Sequence, residues 1–205
     1  MNTQPTVFVV DDNQAMRNSL KWLIESVGMK VEVFASADEF LQSYFPGCPG
    51  CVLLDVRMPG MNGLDLQEFM QERRIRIPVI IITGHGDVPM AVRAMKAGAV
   101  DFIEKPFRDE LLLESIQKAI QIDNRQREVQ GARSSIAARL AQLTPRELEV
   151  MEMVTEGASN KEIAVSLGVS TKTVEAHRAR VMEKMEATSL AELVKMAMVA
   201  KLARR

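Results

Sequence analysis

Five polar side chains with chemistry suited to a phosphoryl group stand at the ends of short apolar runs. They are Asp11, Asp12, Asp55, Thr83 and Lys105. A carboxylate at the edge of an apolar core is costly unless a partner compensates it, and neighbouring carboxylates push protons onto one another. Mg²⁺ removes both costs, since it takes one or two carboxylates together with backbone oxygen and water. The residue types therefore predict a magnesium-dependent phosphoryl site.

Asp55 is the predicted nucleophile, because a carboxylate can accept a phosphoryl group as a covalent aspartyl phosphate. The metal and Lys105 would neutralise charge on the transferring group, which is most of what phosphoryl transfer requires. Taken singly, each residue has an ordinary alternative, such as a helix cap for the aspartate pair, a surface position for the lysine and a turn for the threonine. The placement of all five at strand ends favours the functional interpretation.

Alternating strands and helices must position these side chains. Candidate strands cover residues 6–10, 30–34, 51–55, 78–83 and 100–104, and helical patterns cover 14–27, 37–44, 64–72, 88–97 and a stretch from 108 onward. Near-continuous apolar strands that alternate with helices indicate a parallel sheet covered on both faces. Five such units predict the flavodoxin-like (βα)5 fold, with strand order 2-1-3-4-5. Ligands of such sheets bind outside the carboxyl ends of the first and third strands, where the three carboxylates should converge.

Four motifs carry a family resemblance. The segments VFVVDDNQAMR, CVLLDVRMPGMNG, IIITGHG and DFIEKPF, which span residues 7–107, resemble the receiver domain of two-component response regulators. The resemblance implies that Asp55 accepts phosphate from a sensor histidine kinase, and that the receiver catalyses only its own phosphorylation and dephosphorylation. It further implies that Mg²⁺ is held by Asp12, Asp55 and the main-chain carbonyl of Arg57, with Asp11 assisting through water.

The same resemblance implies a conformational switch. Thr83 and Phe102 would be the switch residues, with the hydroxyl moving to the phosphate while the ring repacks. Phosphorylation is then expected to give a homodimer through the fourth helix and fifth strand, residues 90–102. A two-fold dimer would bind an inverted DNA repeat whose half-sites match its two recognition helices.

A longer segment narrows the resemblance. ITGHGDVPMAVRAMKAGAVDFIEKPF, residues 82–107, is similar to the FixJ branch of these regulators. Members of that branch respond to oxygen through a haem-bearing kinase, FixL, which implies a role with oxygen-responsive nitrogen fixation genes. Styrene- and tetrathionate-response regulators are similar in the same segment, so the segment does not determine which signal the kinase senses. Asn13 and Gln14 stand where many receivers carry a third acid, and the metal site is expected to survive that change.

The last third of the chain has helical patterning throughout. Thr144, Pro145 and Glu147 form a helix start with a capping box. The stretch LTPRELEVMEMVTEGASNKEIAVSLGVSTKTVEAHRARVMEKM resembles the four-helix DNA-binding domain of the LuxR/FixJ type. The tight turn between its second and third helices, 160–167 and 171–185, predicts a helix-turn-helix.

A polar, charged stretch separates the two halves of the chain. Residues 122–135, IDNRQREVQGARSS, form either a solvated linker or an extension of the fifth helix. We therefore expect a receiver domain at 1–122, a linker at 123–142 and an all-α DNA-binding domain at 143–205.

One face of the third tail helix suits a DNA groove. At 100° per residue, Val174, Val181 and Met185 share an apolar stripe. The opposite face has two alanines that allow close approach, and a glutamate that can accept from cytosine N4. Neighbouring cations would contact phosphates, which position a protein without specifying sequence. The predicted DNA contacts are Thr171, Lys172, Glu175, Ala176, Arg178, Ala179, Arg180 and Lys184. Double-stranded DNA is therefore the expected partner of the tail, with RNA polymerase as a further partner.

Composition and charge narrow the class of protein. Hydrophobic residues make up 47% of the 205 residues, and no apolar run is long enough to span a membrane, so we expect a cytoplasmic protein. The net charge of −1 divides into +2 from residue 134 onward and −3 before it, which fits a nucleic-acid-binding tail. Two rival classes stay open: a metal-dependent phosphatase or dehalogenase with an Asp nucleophile, and a receiver-type adaptor that binds protein or RNA. Such enzymes usually have a second acid two residues beyond the nucleophile, where this chain has Arg57.

Overall fold

The computed structural model describes residues 4–45 and 47–203 of the chain. Internal contacts divide it into two units, with the division after Gln126. Within the described ranges, no helix combines the length and the apolar character that crossing a membrane requires.

The first unit is built on a five-stranded parallel sheet. Its strands are β1 (Thr6–Val10), β2 (Lys30–Phe34), β3 (Gly50–Asp55), β4 (Val79–Thr83) and β5 (Asp101–Glu104). All neighbouring strands pair in parallel, in the order 2-1-3-4-5. The predicted fold class and strand order are therefore confirmed, and strand limits differ from the predicted ones by one residue at most.

Helices cover both faces of this sheet. They are α1 (Gln14–Ser26), α2 (Ala37–Ser43), α3 (Gly63–Glu72), α4 (Val88–Lys96) and the start of α5 (Asp109–Leu140). Side chains alternate between faces along a strand, so Val7 and Val9 of β1 pack with α1 and α5, whereas Phe8 and Val10 pack with α2, α3 and α4. The strands are apolar on both faces because both faces are covered.

Helix α5 is a single helix of 32 residues. Its first turns pack on the sheet through Leu112 and Ile116, and its last turns add Ile136 and Leu140 to the apolar cluster of the second unit. The stretch from 123 to 140, for which the sequence left a linker and a helical extension open, is therefore helical.

The second unit adds four short helices. These are α6 (Pro145–Thr155), α7 (Asn160–Leu167), α8 (Thr171–Lys184) and α9 (Leu190–Ala203). Capping boxes at Thr144 and Ser159 start α6 and α7. Gly168 ends α7 in the left-handed conformation, with φ 66°, which glycine adopts without steric cost. The short connection from α7 to α8 gives the helix-turn-helix arrangement that the sequence predicts.

Candidate functional site

The carboxyl edge of the sheet brings Asp11, Asp55 and Lys105 together. Asp11 follows β1 and Asp55 ends β3, and these strands are neighbours. Lys105 follows β5, and its Nζ lies 2.7 Å from Asp55 Oδ1 and 2.8 Å from Asp11 Oδ2. Asp55 is 7% exposed and Asp11 3% exposed. The predicted nucleophile and its predicted cation are therefore in direct contact at the mouth of a buried acidic pocket.

Backbone amides fix the orientation of both carboxylates. The Arg57 N–H donates to Asp55 Oδ2 at 2.7 Å, and the Asn13 N–H donates to Asp11 Oδ1 at 2.8 Å. On the lysine side, the Lys105 N–H donates to the Thr83 carbonyl at 2.7 Å, which ties the segment after β5 to the end of β4. Each carboxylate thus has one oxygen held by the main chain and the other by the shared ammonium group.

The pocket is short of positive charge. Burial and the negative charge of Asp11 raise the pKa of Asp55, with burial the larger effect. The hydrogen bond and the charge of Lys105 lower that pKa, but it stays above its ordinary value. Burial alone would lower the pKa of Lys105, but its hydrogen bonds to Asp11 and Asp55 outweigh burial and raise that pKa. Lys105 therefore stays protonated, and one ammonium group serves two carboxylates. An additional cation would favour the ionised form of Asp55.

Asp12 differs in burial from the other two predicted carboxylates. Asp12 is exposed, whereas Asp11 and Asp55 are buried around Lys105. Among the residues that the structure describes, no three Asp, Glu, His or Cys side chains form a group that could hold a metal ion. Asn13 is the N-cap of α1, so the helix begins directly after the aspartate pair. The carboxylates of Asp11 and Asp55 are hard-oxygen donors of the kind that Mg²⁺ prefers.

Thr83 and Phe102 lie close to one another near this pocket. Thr83 is buried, and its Oγ1 accepts from the His85 N–H at 3.3 Å. Phe102 is half-buried, and its ring packs so tightly on Gly86 that an added Cβ there would lie 3.0 Å from ring Cε1 and 3.5 Å from Thr83 Cγ2. The two predicted switch residues therefore contact a common glycine in the β4–α4 loop.

The α8 helix exposes most of the face that the sequence predicts for DNA. Val174, Val181 and Met185 are buried. The exposed residues of the predicted contact set are Thr171, Lys172, Glu175, Ala176, Ala179 and Arg180. His177 is half-buried, and its Nδ1 is buried without a hydrogen-bond partner. This agrees with a residue that packs inside the unit and does not contact a base.

Two predicted phosphate contacts are instead held inside the second unit. Lys184 Nζ lies 2.6 Å from a carboxylate oxygen of buried Glu147 and 3.2 Å from the Gln142 carbonyl. Arg178 Nη1 donates to Asn160 Oδ1 at 2.5 Å and joins α8 to α7. Both side chains therefore have a partner within their own unit, and their contact with phosphates stays a prediction.

Comparison with known protein families identifies both units. Residues 7–117 match the response regulator receiver domain, and residues 141–197 match the luxR family of bacterial regulatory proteins. The chain belongs to the FixJ-like two-component response regulators. It is 48% identical to the transcriptional regulatory protein FixJ of Bradyrhizobium diazoefficiens over 97% of both proteins. It is equally 48% identical to nodulation protein W of the same organism, over 95% of this chain and 86% of that protein.

Solved structures agree with this assignment. The regulator matches the response regulator StyR with a TM-score of 0.90 and 42% identity, over 96% of this chain and 99% of StyR. It matches full-length FixJ from B. japonicum with a TM-score of 0.59 and 47% identity, over 98% and 99% of the two chains. The phosphatase and adaptor alternatives are not favoured, because nearly the whole length of the regulator aligns with transcriptional regulators.

Sequence reasoning missed one buried cation of the regulator. Arg17 in α1 is only 7% exposed, and its Nη1 donates to the Asp11 main-chain oxygen at 2.6 Å. Its Nη2 donates to Gln14 Oε1 at 2.5 Å. Arg17 thus orients the backbone that carries the Asp pair. Its place at the end of the DDNQAMR motif, one helical turn after Gln14, was the available signal.

Proposed function

We propose that Asp55 accepts a phosphoryl group from a phosphohistidine of a sensor kinase. An Asp55 oxygen attacks phosphorus, the phosphorus–nitrogen bond to the histidine breaks, and the imidazole nitrogen leaves with the electron pair. Lys105 supports this proposal, because its Nζ lies 2.7 Å from the Asp55 oxygen and can neutralise charge on the transferring group. That contact is the observation on which the proposal chiefly rests.

Mg²⁺ is the proposed cofactor of this step. Asp12, Asp55 and the Arg57 main-chain carbonyl would hold the ion, and Asp11 would assist through water. Receiver domains use Mg²⁺ at such an acidic pocket, and the raised pKa of Asp55 indicates a need for further positive charge. When bound, the ion supplies charge neutralisation for the phosphoryl oxygens.

The proposed consequence of phosphorylation is dimerisation and DNA binding. Thr83 and Phe102 would pass the change to α4 and β5, where Val88, Val92 and Met95 are 76%, 45% and 49% exposed and available to a second copy. The exposed α8 face would then enter the major groove of an inverted repeat. Because its target is DNA, we propose that the regulator acts in the cytoplasm, with RNA polymerase as a further partner.

The kinase signal stays a prediction. FixJ and nodulation protein W of one organism are equally similar to the regulator, so identity alone does not select an oxygen signal or nitrogen fixation genes. Phosphotransfer from purified, oxygen-free FixL tests it directly. Transfer at a rate comparable to that with FixJ supports the FixL pairing, and no transfer contradicts it.

Comparison of wild type with Asp55→Asn tests the phosphoryl site. Each protein is incubated with Mg²⁺ and acetyl phosphate, then examined by size-exclusion chromatography and gel shift on duplex DNA selected from a random pool. Asp38→Asn, a change at an exposed aspartate of α2, is the matched control. We expect wild type and Asp38→Asn to dimerise and gain DNA affinity, and Asp55→Asn to do neither. Equal behaviour of all three proteins would refute control of the tail by Asp55.

A further inference from the structure

The receiver has an exposed turn of three arginines at the edge of the sheet opposite the phosphoryl pocket. Arg73, Arg74 and Arg76 lie between α3 and β4, where the chain approaches the amino end of a strand, and all three are exposed. We call these three residues the arginine turn. Its immediate acidic neighbour in the sequence is the exposed Glu72. Because the chain before residue 134 has a net charge of −3, the turn is a local excess of positive charge on an acidic unit.

Two of these arginines take no part in holding the receiver together. In the described part of the chain, neither the Arg74 nor the Arg76 side chain has an ion-pair partner. Arg93 of the neighbouring helix α4 shows the contrast, since it is held by Asp65 and Glu68 of α3 at 2.9 and 2.8 Å. A cation at the end of a helix complements the helix dipole, but Arg76 lies a full turn beyond the last residue of α3.

Arg74 occupies a backbone position that glycine fits better. Its φ is 58°, and the Ile75 N–H donates to the Met70 carbonyl at 2.8 Å, the hydrogen bond that ends a helix in a Schellman motif. A residue with a Cβ atom is less favourable there than glycine. An arginine at this position therefore costs stability and gains no ion pair within the described residues, which favours a role outside the fold.

Helix α5 leaves the receiver at this same edge of the sheet. Asp123 Oδ2 accepts from the N–H of Gly50, the first residue of β3, at 2.9 Å. The helix has therefore passed from the carboxyl edge to the amino edge by Asp123, and it continues to Leu140. When the tail binds DNA, α5 tethers the receiver to a polyanion. Such a tether raises the effective concentration of phosphates to about the millimolar range, which favours weak contacts that need no base recognition.

We propose that the arginine turn of the receiver binds phosphates of the DNA that flanks the site bound by α8. A guanidinium group suits this role, because it donates two parallel hydrogen bonds to a phosphate and stays charged at every physiological pH. The contacts would add affinity without sequence preference. The inference rests on the proposed function, because it requires a tail bound to DNA. It gives the receiver a second surface, separate from its phosphoryl pocket and from its α4–β5 face.

Three double variants test the arginine turn. Arg74→Gln/Arg76→Gln removes two charges, and glutamine keeps the Cβ atom at φ 58°, so the backbone strain is unchanged. Arg74→Lys/Arg76→Lys keeps both charges. Lys21→Gln/Arg108→Gln is the matched control, because it removes the same charge from side chains that are 48% and 83% exposed elsewhere on the receiver. Circular dichroism checks that each variant is folded.

The assay separates flanking DNA from the bound site. One duplex contains only the site selected from a random pool, and a second extends that site by about 20 base pairs on each side, which is about two helical turns. Each full-length protein is phosphorylated with acetyl phosphate and Mg²⁺. Its affinity for both duplexes is measured by fluorescence anisotropy over a series of salt concentrations, and the slope of log affinity against log salt is compared among the proteins on each duplex.

The expected effect is confined to the extended duplex. There, Arg74→Gln/Arg76→Gln should bind more weakly than wild type, with a slope shallower by about 2 for each protomer, since each phosphate contact contributes about 0.9. On the short duplex the two proteins should agree. The lysine variant and the control should both resemble wild type on both duplexes.

Four results would contradict these proposals. An unchanged slope on the extended duplex would overturn the inference and leave an acidic protein as the partner of the turn. Equal losses on the two duplexes would overturn it as well, because flanking phosphates would not be involved. An equal loss in the control would show an effect of total charge and not of this turn. A wild type that binds neither duplex would instead overturn the proposed function, so the two failures are distinguishable.

Discussion

Glu147 lies buried in the DNA-binding unit beside Lys184, and Glu147→Gln would remove its charge with little change in shape. The carboxylate is 3% exposed, accepts from Lys184 Nζ at 2.6 Å, and accepts from the Thr144 N–H at 2.9 Å. These hydrogen bonds, that from Lys184 first, lower the pKa of Glu147 to about 2. The substitution therefore tests whether this ion pair stabilises the helix-turn-helix.

The magnitude follows from the pKa and from solvent exposure. Relative to the ordinary value of 4.5, and at about 1.36 kcal/mol per pKa unit, the ionised carboxylate and all its hydrogen-bond donors together contribute at most about 3 kcal/mol to the free energy of unfolding. The Lys184 side chain is 32% exposed, so solvent screens part of the interaction. We expect Glu147→Gln to lower the free energy of unfolding of the second unit by about 1–2 kcal/mol at pH 7.

The pH dependence has a definite sign. Because the pKa of Glu147 is lowered by folding, its contribution is fully present above pH 4.5 and is lost as the pH falls towards 2. Urea unfolding followed by circular dichroism reports both units, whereas fluorescence of Trp22, the only tryptophan, reports the first. The difference between wild type and Glu147→Gln should therefore appear in the dichroism transition at pH 7 and shrink at pH 3.

Glu149→Gln is the matched control for this test. Glu149 pairs with Arg146 at 2.8 Å, but its side chain is 53% exposed, and exposed pairs contribute about 0–1 kcal/mol. Equal destabilisation by the two substitutions would refute the reasoning from burial. A difference that stays constant between pH 7 and pH 3 would refute the assignment of the effect to ionised Glu147.

Three further predictions concern the two functional surfaces. Lys105→Met should slow phosphorylation by acetyl phosphate at least tenfold on phosphate-affinity gels, and an unchanged rate would exclude charge neutralisation by this lysine. Gly63→Ala would place a Cβ 2.1 Å from the Asp55 main-chain oxygen. Urea unfolding should therefore show a free energy of unfolding that is lower by about 1–3 kcal/mol. An unchanged free energy of unfolding would show that α3 can shift to avoid the clash. Lys172→Gln should weaken binding to all DNA sequences alike and reduce the slope of log affinity against log salt by about 1, whereas Glu175→Gln should keep that slope and relax base preference. Binding is measured by fluorescence anisotropy. A changed base preference in Lys172→Gln and a changed salt slope in Glu175→Gln would contradict the two assigned roles.

The sheet and its acidic pocket were predictable because they follow from periodicity and topology. Apolar runs located the strands, and the rule for parallel sheets placed Asp55 beside Asp11 without any knowledge of contacts. The exposure of Asp12 was not predictable in the same way, because β1 ends at Val10 and strand periodicity does not describe the turn that leads to the α1 N-cap at Asn13.

The DNA-binding helix shows the same limit at longer range. A helical wheel separated the buried side of α8 from its exposed side, and the alanines and Lys172 lie where the wheel put them. It could not identify the partner of Lys184, since Glu147 lies 37 residues earlier and only tertiary packing joins them. Helical periodicity predicts on which side of a helix a residue lies. Which residue of another helix it contacts depends on how the helices pack against each other.

The Glu147–Lys184 pair and the Asp55–Lys105 pair differ in their electrostatics. In the pair of Glu147 and Lys184, the hydrogen bonds from the lysine and a backbone amide outweigh burial, and the pKa of the acid falls. Asp55 also has a lysine and a backbone amide, yet its pKa rises, because burial dominates and Asp11 shares the same ammonium group. The first pair is electrostatically complete, so further positive charge gains nothing there. In the second, one ammonium group serves two carboxylates, and this arrangement fits the proposed Mg²⁺ site.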